Sequence, residues 1–140
     1  MTEGAGVLLD THAWLWLAMG DEKIPPAVRR KLEQAEQAGQ LFLADISLLE
    51  LANMARRQRV LLPLPLHEWC ESALSEARIV LLPIVPRIAV ETALLPEAFH
   101  GDPADRLIAA TARVENLTLC THDKDLLRFG RQGLFRVLAI

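Results

Sequence analysis

The sequence has no tyrosine, and aromatics make up only 5% of its 140 residues. That scarcity excludes a broad stacking platform as the main binding mode. Cysteine is as sparse: Cys70 and Cys120 are too few for a disulfide framework, and a reducing cytoplasm suits them best. No uninterrupted apolar run approaches the ~18 residues of a membrane helix, so no membrane association is expected. The leading Met1-Thr2-Glu3-Gly4-Ala5-Gly6 has no basic segment, and Asp10 and His12 interrupt the apolar stretch behind it. No signal peptide is expected there. An excess of positive charge is missing too. The formal net charge is −3, the wrong sign for an ordinary phosphate-binding surface.

Where the charges sit weakens that last exclusion. Arg29, Arg30 and Lys31 form one basic cluster, and Arg56, Arg57 and Arg59 a second. Lys124, Arg128, Arg131 and Arg136 crowd the end of the sequence. Each can be a solvated helix face, yet cations bound to a few acids would tip the balance to the basic side. Half the residues are hydrophobic, 51%, which is ample for one core and excludes a disordered chain or a coiled coil. Residues 1–140 read as one domain.

Short apolar runs alternate with helical segments. Val7-Leu8-Leu9-Asp10, Leu41–Ala44, Ile79–Leu82, Leu117–Thr121 and Arg136–Ile140 read as strands. Helices are expected from Thr11 to about Met19, from Pro25-Pro26 to Gly39, and from Ser47 to about Arg59. Others follow Pro65, Pro86 and Asp102-Pro103, the last running to about Glu115, and a short one contains Asp125. The fold class is therefore α/β: a central, mostly parallel five-stranded sheet with helices on both faces, in three layers. Such sheets bind ligands in the crevice outside the carboxyl ends of their strands, and these strands end in acids.

Four acids fall where that crevice would gather them: Asp10, Glu50, Asp105 and Asp123. Each has a structural reading. Ser47-Leu48-Leu49-Glu50 fits a capping box. Asp102-Pro103-Ala104-Asp105 fits a helix start with cap, proline and acid, and Asp123 fits a cap of the following helix. Asp10 is harder to dismiss, since an ionised acid closing an apolar strand needs a partner. Carboxylates converging on one crevice repel one another unless protonated or neutralised by a cation. No three His or Cys have zinc-ligand spacing, and an all-oxygen set suits Mg²⁺ or Mn²⁺. The chemistry indicated is metal-assisted hydrolysis of a phosphodiester.

Four blocks occur in order: Leu8-Leu9-Asp10-Thr11-His12-Ala13-Trp14-Leu15-Trp16, Ile46-Ser47-Leu48-Leu49-Glu50-Leu51, His100-Gly101-Asp102-Pro103-Ala104-Asp105-Arg106-Leu107-Ile108-Ala109-Ala110, and Cys120-Thr121-His122-Asp123-Lys124-Asp125. Together they closely resemble PIN-domain proteins of the VapC type, the toxin half of a bacterial toxin–antitoxin pair. The resemblance implies a PIN-like α/β/α fold and a Mg²⁺- or Mn²⁺-dependent endoribonuclease. It implies as partners an RNA substrate, a VapB-like antitoxin that holds the enzyme inactive, and a second copy in a homodimer. The family's acidic quartet falls on Asp10, Glu50, Asp105 and Asp123. On this reading Asp10 anchors the main ion, with Asp105 beside it. Glu50 binds through a water or supports the ligands from behind, and Asp123 serves a second ion arriving with substrate. Attack on phosphorus would leave a 5′-phosphate. Gly101 and Leu49 depart from the family, which more often has a basic and an aromatic residue there.

Thr11, Ser47, Asp102, Arg106 and Thr121 stand beside the quartet as candidates to support a carboxylate or touch substrate. Asp102 favours the helix cap over an ion ligand, and Arg106 a salt bridge over a phosphate. His12, His67, His100 and His122 are expected in structural or orienting roles. Trp14, Trp16 and Trp69 are expected to pack in the core or an interface rather than stack on bases, leaving backbone phosphates to Arg56, Arg57, Arg59 and Lys124. The apolar residues of Leu48 to Met54 and Leu61 to Trp69 could receive the antitoxin or be ordinary core. Rival readings are a PIN-like nuclease that processes RNA or cuts DNA, and a catalytically silent partner-binding module.

Overall fold

The computed structural model describes residues 6–99 and 101–140. His100, expected in an orienting role, and Met1 to Ala5 lie outside them. Five strands, β1 (Val7–Leu9), β2 (Leu41–Ala44), β3 (Val80–Leu82), β4 (Thr118–Thr121) and β5 (Arg136–Ala139), form one sheet. Its order is β3-β2-β1-β4-β5 and every neighbouring pair is parallel. Seven helices are described: α1 (Thr11–Ala18), α2 (Pro26–Gln37), α3 (Ile46–Arg56), α4 (Leu66–Glu76), α5 (Pro86–Leu94), α6 (Pro103–Val114) and α7 (Lys124–Arg131). All five expected strands and all seven helical segments are present. The third helix begins at Ile46, two residues earlier than its capping pattern suggests, and stops at Arg56.

The period of two along each strand divides the core. Val7 and Leu9 of β1, with Leu41 and Leu43 of β2, face a cluster built from α1, α2, α3 and α4 around Trp14, Leu32, Leu51 and Trp69. Leu8, Ala44 and Leu119 face the other way, onto Ile108, Ala109 and Ala112 of α6 and Leu126 and Phe129 of α7. Trp14 is fully buried with its ring 5.3 Å from that of Trp69, so truncating it would cost about 3–5 kcal/mol. Helix α6 turns Ile108 and the small Ala104, Ala109 and Ala112 inward, and so lies close against the sheet.

Chain order explains where ligands can enter. After β1 the chain moves outward through β2 to β3, then crosses back to place β4 on the other side of β1. The connections above neighbouring β1 and β4 diverge, leaving a crevice at their carboxyl ends, the topological switch point of a parallel sheet. Among the described residues no helix is long and apolar enough to cross a membrane.

Candidate active site

Asp10 leaves β1 at the switch point and caps α1, its carboxylate accepting from the Ala13 amide at 2.8 Å. The second carboxylate oxygen accepts from the Thr121 hydroxyl at the end of β4. Asp10 and Thr121 are both buried. Burial pushes the Asp10 carboxyl above its ordinary range, against the pull of those two donors and of His12 and His122. Thr121 also accepts from the Asp123 amide at 3.0 Å, and Asp123 caps α7 through the Leu126 amide at 2.9 Å. Thus β1 and β4 each close on an acid tied to the same threonine.

The remaining acids come from helix starts. Asp102 caps α6, accepting from the Asp105 amide at 2.9 Å, and Asp105 sits at the third helical position that this cap creates. The expected cap role of Asp102 is borne out, and Pro103 fills the first helical position as it should. Glu50 lies on the second turn of α3. Asp10, Thr11, His12, Glu50, Asp102, Asp105, Ile108, His122 and Asp123 line one crevice of about 220 Å³. Asp105 feels this most. Burial, then the charges of Asp102, Asp123, Glu50 and Asp10, push its carboxyl up to about 7.

Two readings of the sequence need correction. Ser47 and Glu50 do not form a capping box, because α3 starts at Ile46 and the residue before it, Asp45, gives no side-chain cap. Ser47 is buried inside the first turn, its hydroxyl 2.8 Å from that of Thr11, and Thr11 also meets the Glu50 carboxylate. A carboxylate only accepts and a threonine hydroxyl has one proton. Thr11 therefore donates to Glu50, and Ser47 donates to Thr11. This relay ties α1 to α3 and aims Glu50 into the crevice. Among the described residues Arg106 makes no salt bridge, and it is not one of those that line the crevice. Its guanidinium donates to the main-chain carbonyls of Phe99 at 2.8 Å and Thr92 at 2.6 Å, bracing the connection from α5 to α6. A pattern of charges along the sequence cannot reveal carbonyls as partners.

Cys120 is buried on β4, and burial together with Asp10 raises its thiol to about 12. It is inert beside the site.

Comparison with known proteins now bears on this geometry. The PIN domain family profile matches residues 7–132. The chain belongs to the PIN-domain family. Ribonuclease VapC22 of Mycobacterium tuberculosis is 37% identical over 120 residues, 86% of this chain and 88% of that protein, which places this PIN domain with the VapC type. The fold is shared with a VapBC2 crystal structure from Rickettsia felis, bound to a DNA fragment from their promoter. There the TM-score is 0.70 at 19% identity, over 96% of this chain and 98% of that one. A DNA-bound VapBC from Salmonella typhimurium aligns with a TM-score of 0.69 at 22% identity, covering 96% and 97%.

Proposed function

We propose that this PIN domain is a divalent-metal-dependent endoribonuclease of the VapC toxin type, with Asp10, Glu50, Asp105 and Asp123 as its metal-holding carboxylates. One observation carries the reading. Five carboxylates line one small crevice, and among the described residues none of them pairs with a lysine or arginine. Such a site lacks its counter-charge, and an all-oxygen donor set fits a hard cation, Mg²⁺ or Mn²⁺. Among the described residues no three ligating side chains converge tightly enough to grip one bare ion. The fit is therefore to a hydrated ion held by a few carboxylates, as Mg²⁺ prefers.

Bound there, the ion would supply Lewis acidity, making water a better nucleophile and offsetting charge on the phosphate. The protein's own part is placement. Thr121 and the Ala13 amide fix both oxygens of Asp10, and the Ser47–Thr11 relay fixes Glu50. Asp105, whose carboxyl is held above its ordinary range, would give up its proton more readily with a cation beside it. Ile108 and the buried walls of β1 and β4 limit bulk water on the inner side.

The partners follow from relatives. VapC22 is named a ribonuclease, and the two structural neighbours are VapBC complexes, which support RNA as substrate and a VapB-like antitoxin as inhibitor. Most apolar residues from Leu48 to Trp69 pack inward. Leu49, Leu61 and Leu64 stay exposed, and Leu49 lines a groove of about 250 Å³ that shares Glu50 and Asp102 with the crevice. An antitoxin filling that groove could reach the carboxylates with a basic side chain. Exposed Val80, Leu81 and Ile84 at the β3 edge offer a second copy an apolar contact, and two free thiols suit the cytoplasm.

The test is cleavage of transfer, ribosomal and messenger RNA and single-stranded DNA by purified protein, with Mg²⁺, Mn²⁺ or EDTA, beside Asp10→Asn. RNA cleavage that needs the ion and disappears in the variant is expected. Cleavage persisting in EDTA, or full activity in Asp10→Asn, would overturn the reading.

A further inference from the structure

Three rings that this chemistry leaves unused stand together at the lip of the crevice. His12, on the first turn of α1, and His122, just past β4, both line the crevice and are both exposed. Their ring centroids are 5.8 Å apart. Trp16 follows His12 by four residues, so both share one face of α1. Its ring lies 4.6 Å from His122 and 5.9 Å from His12. Trp16 is half-buried and rests against the core, whereas Trp14 is fully inside it. Lys23, ion-paired with Asp21 at 3.4 Å, places its ammonium 5.4 Å from the Trp16 ring centroid.

Two elements that meet only at the switch point thus deliver aromatic surface to the same place. Core packing does not explain it, because both imidazoles are exposed. Hydrogen bonding does not either: among the described residues neither imidazole makes a hydrogen bond or an ion pair. What the cluster offers is flat π surface beside the carboxylates, with a cation at its outer side. A nucleotide whose phosphate enters the crevice has its own base within reach of that surface. In an A-form duplex base faces are covered by their neighbours, so only an unstacked base can lie on a protein ring.

We infer that His12, His122 and Trp16 form a stacking site for the unpaired base next to the scissile phosphate. The inference rests on the crevice being the phosphate site. His12 and His122 meet the base, and Trp16 positions them. Sequence reasoning set these rings aside one by one; only the register of α1 against the end of β4 joins them.

The test uses binding as well as cleavage. The full chain carrying Asp10→Asn is titrated in Mg²⁺ with short fluorescein-labelled RNA of mixed sequence, single-stranded or annealed to its complement, and anisotropy is read. Tighter binding of the single strand is expected. In the same background His12→Ala with His122→Ala should weaken single-strand binding by about 10-fold and leave duplex binding unchanged. His12→Phe with His122→Phe should restore the preference, since a ring without charge still stacks. Equal affinity for both RNAs, no loss in the alanine pair, or Phe variants as weak as Ala would each overturn the inference. The two readings fail separately. Cleavage by the unmodified protein without ring-dependent binding removes only the stacking site. Ring-dependent binding without cleavage removes only the nuclease.

Discussion

At the amino ends of β4 and β5 the molecule gathers arginines; at the carboxyl ends of β1 and β4 it gathers carboxylates. The basic end has the larger cavity, about 560 Å³ between Arg87, Glu91, Arg113, Asn116 and Arg136, against about 220 Å³ at the acidic end. Size would choose the wrong one. Arg113 donates to Glu91 and to the Leu134 carbonyl, both at 2.7 Å. Arg136 is bound to the Asn116 side chain at 3.0 Å and its carbonyl at 2.8 Å. Arg113 and Arg136 already have partners within the fold. The acidic end holds its charges against mutual repulsion, which is free energy the fold alone does not recover. What separates a binding site from a structural network here is unmet charge.

The comparison breaks first if the acidic end does nothing. Asp10→Asn should lower RNA cleavage by at least ~10²-fold, the loss typical of removing one preorganised charged group. Asp105 gives the same contrast a thermodynamic form. Its carboxyl binds a proton more tightly folded, at about 7, than at the ordinary 3.8. Ion-free protein should therefore be most stable at the acid end of that interval and lose stability as pH rises through it. Asp105→Asn should flatten that loss, and Mg²⁺ should raise the melting temperature of the unmodified protein near neutrality. Thermal melts in EDTA across pH, with and without the substitution, read both. A flat profile in the unmodified protein would show that the carboxylates do not oppose one another.

A smaller effect is expected one bond further out. Thr121→Val removes the hydroxyl that donates to Asp10 and accepts from the Asp123 amide, and should lower cleavage or metal affinity by about 10–100-fold. Thr121→Ser should recover most of it. Metal titrations on both variants test this, and equal loss in valine and serine would point to packing instead.

At Gly101 geometry alone sets the demand. A β-carbon there would lie 2.7 Å from the Phe99 ring and 2.8 Å from the Asp105 β-carbon. Relatives with a basic residue at this place must therefore set the loop before α6 differently. Gly101→Ala should displace Asp105 and cost about 10-fold in cleavage, short of the ~10² of a full 1 Å misplacement. Unchanged kinetics would mean that the loop yields freely.

The strands were legible because buried parallel strands are continuous apolar runs, and Leu8-Leu9 or Leu119-Cys120 can be little else. Asp10 and Asp123 were legible because the carboxyl-end rule turns strand order into place. Ser47 was not. Its spacing to Glu50 fits a local cap, but the competing partner, Thr11, is 36 residues away. Arg106 failed for a similar reason, its carbonyl partners lying in the last turn of α5 and in the connection after it. Local pattern reads helix ends well where no distant side chain competes for the cap, as at Asp102. It misreads them where tertiary contacts claim the same side chain. Trp16 shows the limit from the other side: next to Trp14 in composition, it differs only in the helix face it occupies.

The smallest effect belongs to the basic end, and it makes the contrast a controlled one. Arg113→Met removes the ion pair with Glu91 and the bond to Leu134 while keeping the apolar stem over the cavity. A partly exposed pair with one added carbonyl bond contributes about 0.5–1.5 kcal/mol, so denaturant melts should show a loss of that order. Cleavage should not change, because nothing ties Arg113 to the crevice except the length of α6. Asp102 caps that helix at the acidic end and Arg113 sits in its last turn. A shift that passed along the helix would therefore appear as altered Asp105 chemistry. If Arg113→Met altered cleavage as well as stability, the two ends would be coupled through α6, and the basic network would be holding the acidic site in place.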